Sequence, residues 1–444
     1  MKKYSLILIF FLTLPVWASE KLLKLSYDET ENKSLESSSR LKALKYDIAV
    51  SNQKAKQQKS ILIPALTLDG YYKYITVVPE IDIAAGTSVM SKKLGDNQNY
   101  SFGPSLSWIM WDEGASRSGW KSFESGANAK RLEFEGASRQ LALACAKTYF
   151  RLVLASEQIL LVNDSLSLSR KQYNDILINV RAGNKSRKDE LSSHAELLSR
   201  TRQLAQAETD FSVALRQMAS LSGIKISTGT FLPDTFIQNS EKADNYLNLD
   251  TLDGLITKFK GYSEASLWDK SPDLEVFDEL ASSARYAQES ASSGLWPRLS
   301  FSARSSIDYP NGPKIESFNQ NSAGVNFFMP LFEARKTRAK AKEYDYTYKS
   351  SMEKKNQKAT DLLELWQETK DVIDGLLKQY KINEEMINEA QELSSIVYKS
   401  YIAGSATYLE VENTNFRLLE AKIQQAKTKV QLLMQYAVMR SLAK

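Results

Sequence analysis

The sequence repeats itself at one fixed distance, and this constrains the fold more than any single motif does. Ser101-Phe102-Gly103-Pro104-Ser105-Leu106-Ser107-Trp108 aligns with Ser322-Ala323-Gly324-Val325-Asn326-Phe327-Phe328-Met329, 221 positions later. Trp111-Asp112 aligns with Phe332-Glu333, and Arg181-Ala182-Gly183 with Ile402-Ala403-Gly404, at the same distance. A spacing held over about 80 residues marks duplicated supersecondary structure. Upstream, Ile63-Pro64-Ala65-Leu66-Thr67-Leu68 aligns with Trp296-Pro297-Arg298-Leu299-Ser300-Phe301 at 233. The additional 12 residues read as extra loop in the first copy, between about Val78 and Asn97.

Helix breakers are confined to a few places. From Ala137 to Ser222 there is no Pro and one Gly, Gly183; from Leu331 to Lys444 there is no Pro and two Gly, Gly375 and Gly404. Tracts of this kind predict long helices. In the first, Leu141, Cys145, Thr148, Leu152, Ala155, Ile159, Val162, Leu166, Ser169, Tyr173, Ile176 and Val180 step by four and three. The second copy keeps the seam as Leu362, Trp366, Thr369, Ile373, Leu376, Tyr380, Asn383, Ile387, Ala390, Ser394, Val397 and Tyr401. That 3.5-residue period belongs to helices packed side by side. Its small and polar members suit a seam with one wet side. Arg335 to Ile402 is 68 residues, about 100 Å as one helix, with Gly375 predicted to bend or loosen it. Shorter tracts, Ser186–Leu221 and Thr407–Leu442, return from each Gly turn. Helical stretches of about Ser34–Lys59 and Asp273–Ser293 precede the strands.

Four segments instead alternate with period two. Leu66, Leu68, Tyr72 and Tyr74 alternate with Thr67, Asp69, Tyr71 and Lys73. Tyr100, Phe102, Leu106 and Trp108 alternate with small or polar residues, as do Leu299, Phe301, Ala303 and Ile307, while Ala323, Val325, Phe327 and Met329 alternate with Ser322, Gly324, Asn326 and Phe328. Strands of about ten residues, apolar on one face with Tyr and Trp near the ends, fit a membrane barrel with a wet interior. The competing reading is a soluble sheet covered by helices. Four strands cannot close a barrel around an open lumen, so a spanning barrel requires several chains.

The charge balance, 58 Lys and Arg against 53 Asp and Glu, is even along the chain and does not suit a nucleic-acid binder. One Cys leaves no disulfide within the chain, and a single His argues against a His-based triad or a multi-His metal centre. Cys145 reads as a small packing residue and His194 as a solvated helix residue. No cofactor and no enzyme activity is expected. Met1-Lys2-Lys3, an apolar run from Leu6 to Leu14 and Pro15-Val16-Trp17-Ala18 read as a signal peptide cleaved after Ala18, with a buried N-terminal helix as the competing reading. No Cys stands at the cut, so a lipoprotein is not expected. No later apolar run is long enough for a membrane helix.

The resulting order is a signal peptide (1–18), a first repeat (19–222) and an acidic connector (223–262) before a second repeat (263–444). The first repeat has strands at about 63–76 and 99–109 and a hairpin at about 114–221 with its tip at Gly183. The second has strands at about 297–309 and 318–329 and a hairpin at about 335–442 with its tip at Gly404. This arrangement resembles the TolC-type outer-membrane efflux protein family: a signal peptide, two copies of helix–strand–strand–long helix–Gly turn–helix, the Gly-Pro-Ser-Leu-Ser-Trp strand followed by Trp111-Asp112-Glu113-Gly114, and Ala-Gly hairpin tips.

The resemblance implies a mostly α chain with a membrane β-barrel portion. Three chains would share a 12-stranded barrel in the outer membrane, above an α-helical coiled-coil barrel reaching into the periplasm. The implied partners are two further copies, outer-membrane lipid, a periplasmic adaptor (membrane fusion protein) and an inner-membrane pump, in efflux or type I secretion. Matched to the family's acidic gate, Glu410 is the candidate. The family's next acid falls on Asn413, with Glu412 one position off that face. A plain helix-start acid is the alternative for Glu410. Arg181, Gly183, Lys185, Arg187, Lys188, Gly404, Ser405 and Thr407 are candidate adaptor contacts, and the basic first tip is also a candidate to lock the gate by pairing with Glu410. A solvated turn is the plainer alternative. Asp69, Lys73, Arg298 and Arg304 would face the barrel lumen. The rival function is a periplasmic coiled-coil adaptor or scaffold without a channel, for which one hairpin beside one strand-rich domain would be expected.

Overall fold

A computed structural model describes residues 21–86, 88–226, 231–233, 245–261 and 271–443. The expected signal peptide and parts of the connector lie outside the described residues. The chain divides into two compact units. One comprises residues 39–138 and 268–365, the other 1–38, 139–267 and 366–444.

The first of these contains the predicted strands. In chain order, β1 (Lys21–Leu25) belongs to the other unit and β2 (Ala65–Tyr74) begins the sheet. The hairpin strands β3 (Glu80–Ala85) and β4 (Ser88–Lys93) follow, then β5 (Gln98–Trp111). Two strands of the other unit, β6 (Phe231–Pro233) and β7 (Asn245–Leu249), come next in sequence. The second copy adds β8 (Arg298–Tyr309) and β9 (Phe318–Phe328). The main sheet runs β2-β5-β8-β9, antiparallel throughout, so the two copies meet at β5 and β8. The 12 additional residues are not plain loop. They form the separate β3–β4 hairpin, in which Ile81 and Ile83 alternate with Glu80 and Asp82.

The helices are α1 (Tyr27–Ser37), α2 (Ser39–Ser60), α3 (Ala115–Arg181), α4 (Arg187–Ser222), α5 (Leu252–Lys260), α6 (Pro272–Ser293), α7 (Lys336–Ile402) and α8 (Tyr408–Ala443). Each starts or stops where local chemistry demands. Ser26 caps α1, Pro272 stands at the first turn of α6, and left-handed Gly223 ends α4. A Cβ on Gly223 would also strike Ser37 at 2.7 Å. Gly375 does not interrupt α7, which is helical through all 67 of its residues. One glycine costs about 1 kcal/mol, too little to break a helix of that length. All 24 seam positions are buried or half-buried. Several of the polar ones bond to neighbouring helices. Ser394 Oγ donates to Asn415 Oδ1 (2.7 Å), Asn415 Nδ2 to Gln172 Oε1 (3.0 Å) and Asn383 Nδ2 to Thr428 Oγ1 (3.0 Å). The seam is tied by hydrogen bonds between helices, which satisfies groups that would be costly to bury alone.

The connector is more structured than its composition suggests. β7 pairs in parallel with β1 on one side and β6 on the other, and α5 packs on α8. Tyr27, Phe150 and Phe259 form an aromatic cluster beneath, with Tyr27 and Phe150 stacked at 6.0 Å. Asp250 accepts from the Tyr27 amide (2.7 Å) and the Tyr149 hydroxyl (3.0 Å), and Arg440 donates to Tyr27 Oη (2.6 Å) and pairs with Glu31 (3.0 Å). The N-terminal strand, connector and C-terminal helix are thereby joined. Burial pushes the Tyr149 hydroxyl far above its usual range. Cys145 is fully buried beside Ser34, as expected of a packing residue, and burial raises its thiol.

Candidate functional site: the sheet wall and the hairpin tips

The main sheet is apolar on one face and leaves that face uncovered in the chain. Leu66, Leu68 and Tyr72 are 72%, 65% and 66% exposed, and Val325 and Phe327 61% and 66%. An apolar sheet face this open is not left to water. Its aromatic residues gather at the two ends: Trp108 and Trp111 near the helices, Tyr72, Tyr74, Tyr100 and Tyr309 at the far end. That is the placement of two membrane–water girdles. β2 and β9 are both edges. Among the described residues no helix is long and apolar enough to cross a membrane.

The opposite face is polar and its charges are organised. Arg304 pairs with Asp69 and donates to Ser101 Oγ (3.0 Å), while Ser101 donates to Asp308 (2.6 Å) and Ser105 to Asp69 (2.6 Å). Two of the four expected lumen residues, Asp69 and Arg304, therefore meet. Lys73 and Arg298 stand exposed at opposite ends of the sheet and join neither each other nor this cluster.

The two hairpin tips are built alike. Gly183 and Gly404 are left-handed (φ 77° and 84°). Asn184 N–H donates to the Asn179 carbonyl (2.9 Å) and Ser405 N–H to the Ser400 carbonyl (2.9 Å), each closing a Schellman turn. The return helices then begin with capping boxes. Ser186 and Asp189 form one, Thr407 and Glu410 the other, and both pairs keep the 221-residue offset. Glu410 Oε2 accepts from the Thr407 amide at 2.7 Å, and the residue remains exposed. Asn413 is exposed one turn on. Glu412 faces inward instead. Burial and the Glu196 carboxylate raise its pKa, and Arg200 opposes them.

The basic first tip does not pair with Glu410 within the chain. Lys185 donates to the Tyr401 carbonyl (2.6 Å) and lies 3.9 Å from the centre of its ring. Arg187 pairs with Glu190 on its own helix, and Arg181, Lys188 and Ser405 are exposed. A local acid three residues away is an easier partner than one on another hairpin. Several tip contacts have no motif in the sequence. Ile176, Tyr401, Tyr408 and Val411 form a small core of their own, and Tyr398 donates to Asp175 (2.9 Å). Burial first and then the Asp175 hydrogen bond push the Tyr398 hydroxyl up to about 12. The Glu196–Arg200 pair, 2.5 Å apart and almost wholly buried, was legible as an i,i+4 pair. His194 is exposed beside the Tyr173 ring.

A family model described as outer membrane efflux protein matches residues 31–224 and 266–443. The chain belongs to the outer membrane efflux protein family. Its fold is that of solved members. The outer-membrane channel OprN superposes with a TM-score of 0.72 at 14% identity, covering 94% of this chain and 89% of that one. The outer membrane protein VceC from Vibrio cholerae gives 0.71 at 15%, covering 94% and 96%. CusC gives 0.71 at 13%, covering 94% and 91%. Against the curated proteins no sequence match was found. The chain is thus an outer membrane efflux protein with the fold of solved outer-membrane proteins, one of them described as an outer-membrane channel.

Proposed function

We propose that this efflux protein works as a homotrimer, the exit duct of a tripartite efflux or type I secretion system. The observation that carries the reading is the main sheet, with four strands, two open edges and one exposed apolar face. Unpaired edges are not tolerated in lipid. Pairing β9 of each chain with β2 of the next closes three sheets into one twelve-stranded barrel. The helical hairpins then carry the duct into the periplasm, with their tips offered to an adaptor on an inner-membrane pump. Two full hairpin–strand copies favour this over an adaptor or scaffold.

At the tips, Glu410 is the proposed gate charge. Three exposed carboxylates around a threefold axis would favour cations at the entrance. Glu410→Gln keeps an oxygen for the capping box and removes only the charge. In planar bilayers the wild type should show cation preference and block by polyvalent cations, and the variant should lose both. Unchanged selectivity would reject the gate. Recovery of the wild type from the soluble periplasm without detergent would reject the duct itself.

A further inference from the structure

The two copies part company where their second strands hand over to the long helices. Both pass through a pair of left-handed residues, 221 positions apart: Glu113 and Gly114 (φ 50° and 77°), and Ala334 and Arg335 (φ 48° and 67°). Arginine is therefore held at a backbone position where its repeat counterpart is glycine. A Cβ makes that conformation costly, and such strain persists where the side chain has a use.

The surroundings differ in the same sense. In the first copy Ser293 Oγ donates to the Glu113 carbonyl (3.0 Å), Ser290 Oγ to the Ala115 carbonyl (2.8 Å), and the Lys59 ammonium covers the Trp120 ring at 4.5 Å. In the second, Leu331 and Phe332 are 91% and 88% exposed. Arg335, Lys336, Arg338 and Lys342 are exposed beside them and make no ion pair among the described residues. The nearby acids are otherwise engaged: Glu333 with the Thr337 hydroxyl, Glu343 with Lys340 and Asp345 with Lys349. Arg338 and Lys342 share one face of α7, and Arg335 stands at its head. Arg335 and Arg338 line a cleft of about 280 Å³ together with Leu295, Pro330, Leu331, Phe332 and Glu333, whose carboxylate is held by the Thr337 hydroxyl. The cleft continues from the end of β9, whose apolar face carries Val325 and Phe327.

We propose that this step binds an anionic phospholipid of the leaflet nearer the helices. Its phosphate would sit at Arg335 and Arg338, where guanidinium groups match phosphate oxygens, with Lys342 adding charge and the acyl chains lying on Leu331 and Phe332. The site rests on the outer-membrane reading, because it needs the sheet to end at the headgroups.

The test uses the full-length protein reconstituted in phosphatidylcholine vesicles carrying spin-labelled phosphatidylglycerol or spin-labelled phosphatidylcholine. The wild type should immobilise the anionic label preferentially, and less so as salt rises. Arg335→Gly restores the first-copy residue and relieves the backbone, so folding is not at risk. It should lower the preference about fivefold at low salt, the weight of one basic group at a membrane surface. Adding Arg338→Gln and Lys342→Gln should abolish the preference. An unchanged preference in the triple variant would overturn the site, as would loss of the oligomer in its place, which would assign Arg335, Arg338 and Lys342 to contact with a second copy. Displacement of the lipid by millimolar inorganic phosphate would also overturn it, in favour of a free-anion site. Failure of the wild type to enter vesicles would instead sink the membrane reading.

Discussion

Gly103→Ala tests the wall of the channel at its most crowded point. A Cβ there would lie 2.0 Å from the Ser305 carbonyl oxygen and 2.6 Å from Ser306 Cα. Both obstacles are backbone of the adjoining strand, so no rotamer change relieves them. Reaching an ordinary contact of 3.4 Å requires β5 and β8 to part locally by about 1.4 Å, the difference between those distances. A ladder bond of about 2.9 Å stretched that far is no longer a hydrogen bond. In water one such loss costs about 1 kcal/mol, but in lipid each unsatisfied group costs several. Partial relaxation leaves about 3 kcal/mol, the upper range for an overpacked site. The ladder is already thin here, since Pro104 has no N–H and pairing skips from Phe102↔Ile307 to Ser105↔Arg304.

The control comes from the repeat itself. Gly324 occupies the same place in the second copy, yet a Cβ there meets nothing within 4 Å. Its Cβ direction is out of the sheet plane, so pairing of β9 with another strand would not fill it. The assay is the amount of folded, heat-modifiable protein in the outer-membrane fraction and the temperature at which it unfolds in detergent gels. Gly103→Ala should lower both; Gly324→Ala should match the wild type. Equal behaviour of the two variants would refute the steric argument.

Arg304→Gln removes the cation paired with Asp69, so the reversal potential of single channels should shift toward greater cation preference. No shift would mean that this face does not line the conduction path. Cys145 should resist maleimide in intact membranes and react fully in denaturant, since its thiol is buried and its thiolate disfavoured. Glu412, with its raised pKa, binds its proton more tightly in the folded tip than in the unfolded chain. Its stabilising contribution is therefore present at acid pH and is lost as pH rises through the folded value. Hydrogen exchange at Tyr408–Val411 should slow as pH falls toward 5, after correction for the intrinsic rate, and Glu412→Gln should remove the dependence.

The parts of the fold that were legible are those governed by period and punctuation. The 221-residue offset located the tips, the returning strands and the seams, because a duplicated backbone needs its breakers in the same places. The β3–β4 hairpin was missed because Glu80–Lys93 mixes Gly86 and acids with a weak alternation. The β1-β7-β6 sheet was missed because its strands are only five, five and three residues long and β1 pairs with β7 across more than 200 positions. The turn positions Gly183 and Gly404 were legible because backbone geometry dictates them. Lys185 bound to Tyr401, and Glu412 turned toward Glu196, depend on which helix faces which, and that is written in packing rather than in spacing.

The repeat also separates what the backbone requires from what the side chains do. Both copies keep the Schellman turn, the capping box and the left-handed pair after the second strand, so these serve the hairpin itself. The differences fall on other atoms. Tip one spends Lys185 on Tyr401 and keeps Arg181 and Lys188 exposed, while tip two presents Glu410. A ring of such hairpins would alternate basic and acidic tips, and an adaptor meeting it would be held in register by charge rather than by shape alone. At the other end of the long helices, glycine in one copy and arginine in the other share one backbone conformation. At that position only the second copy carries a side chain, and it stands beside Leu331 and Phe332, which the described residues leave exposed.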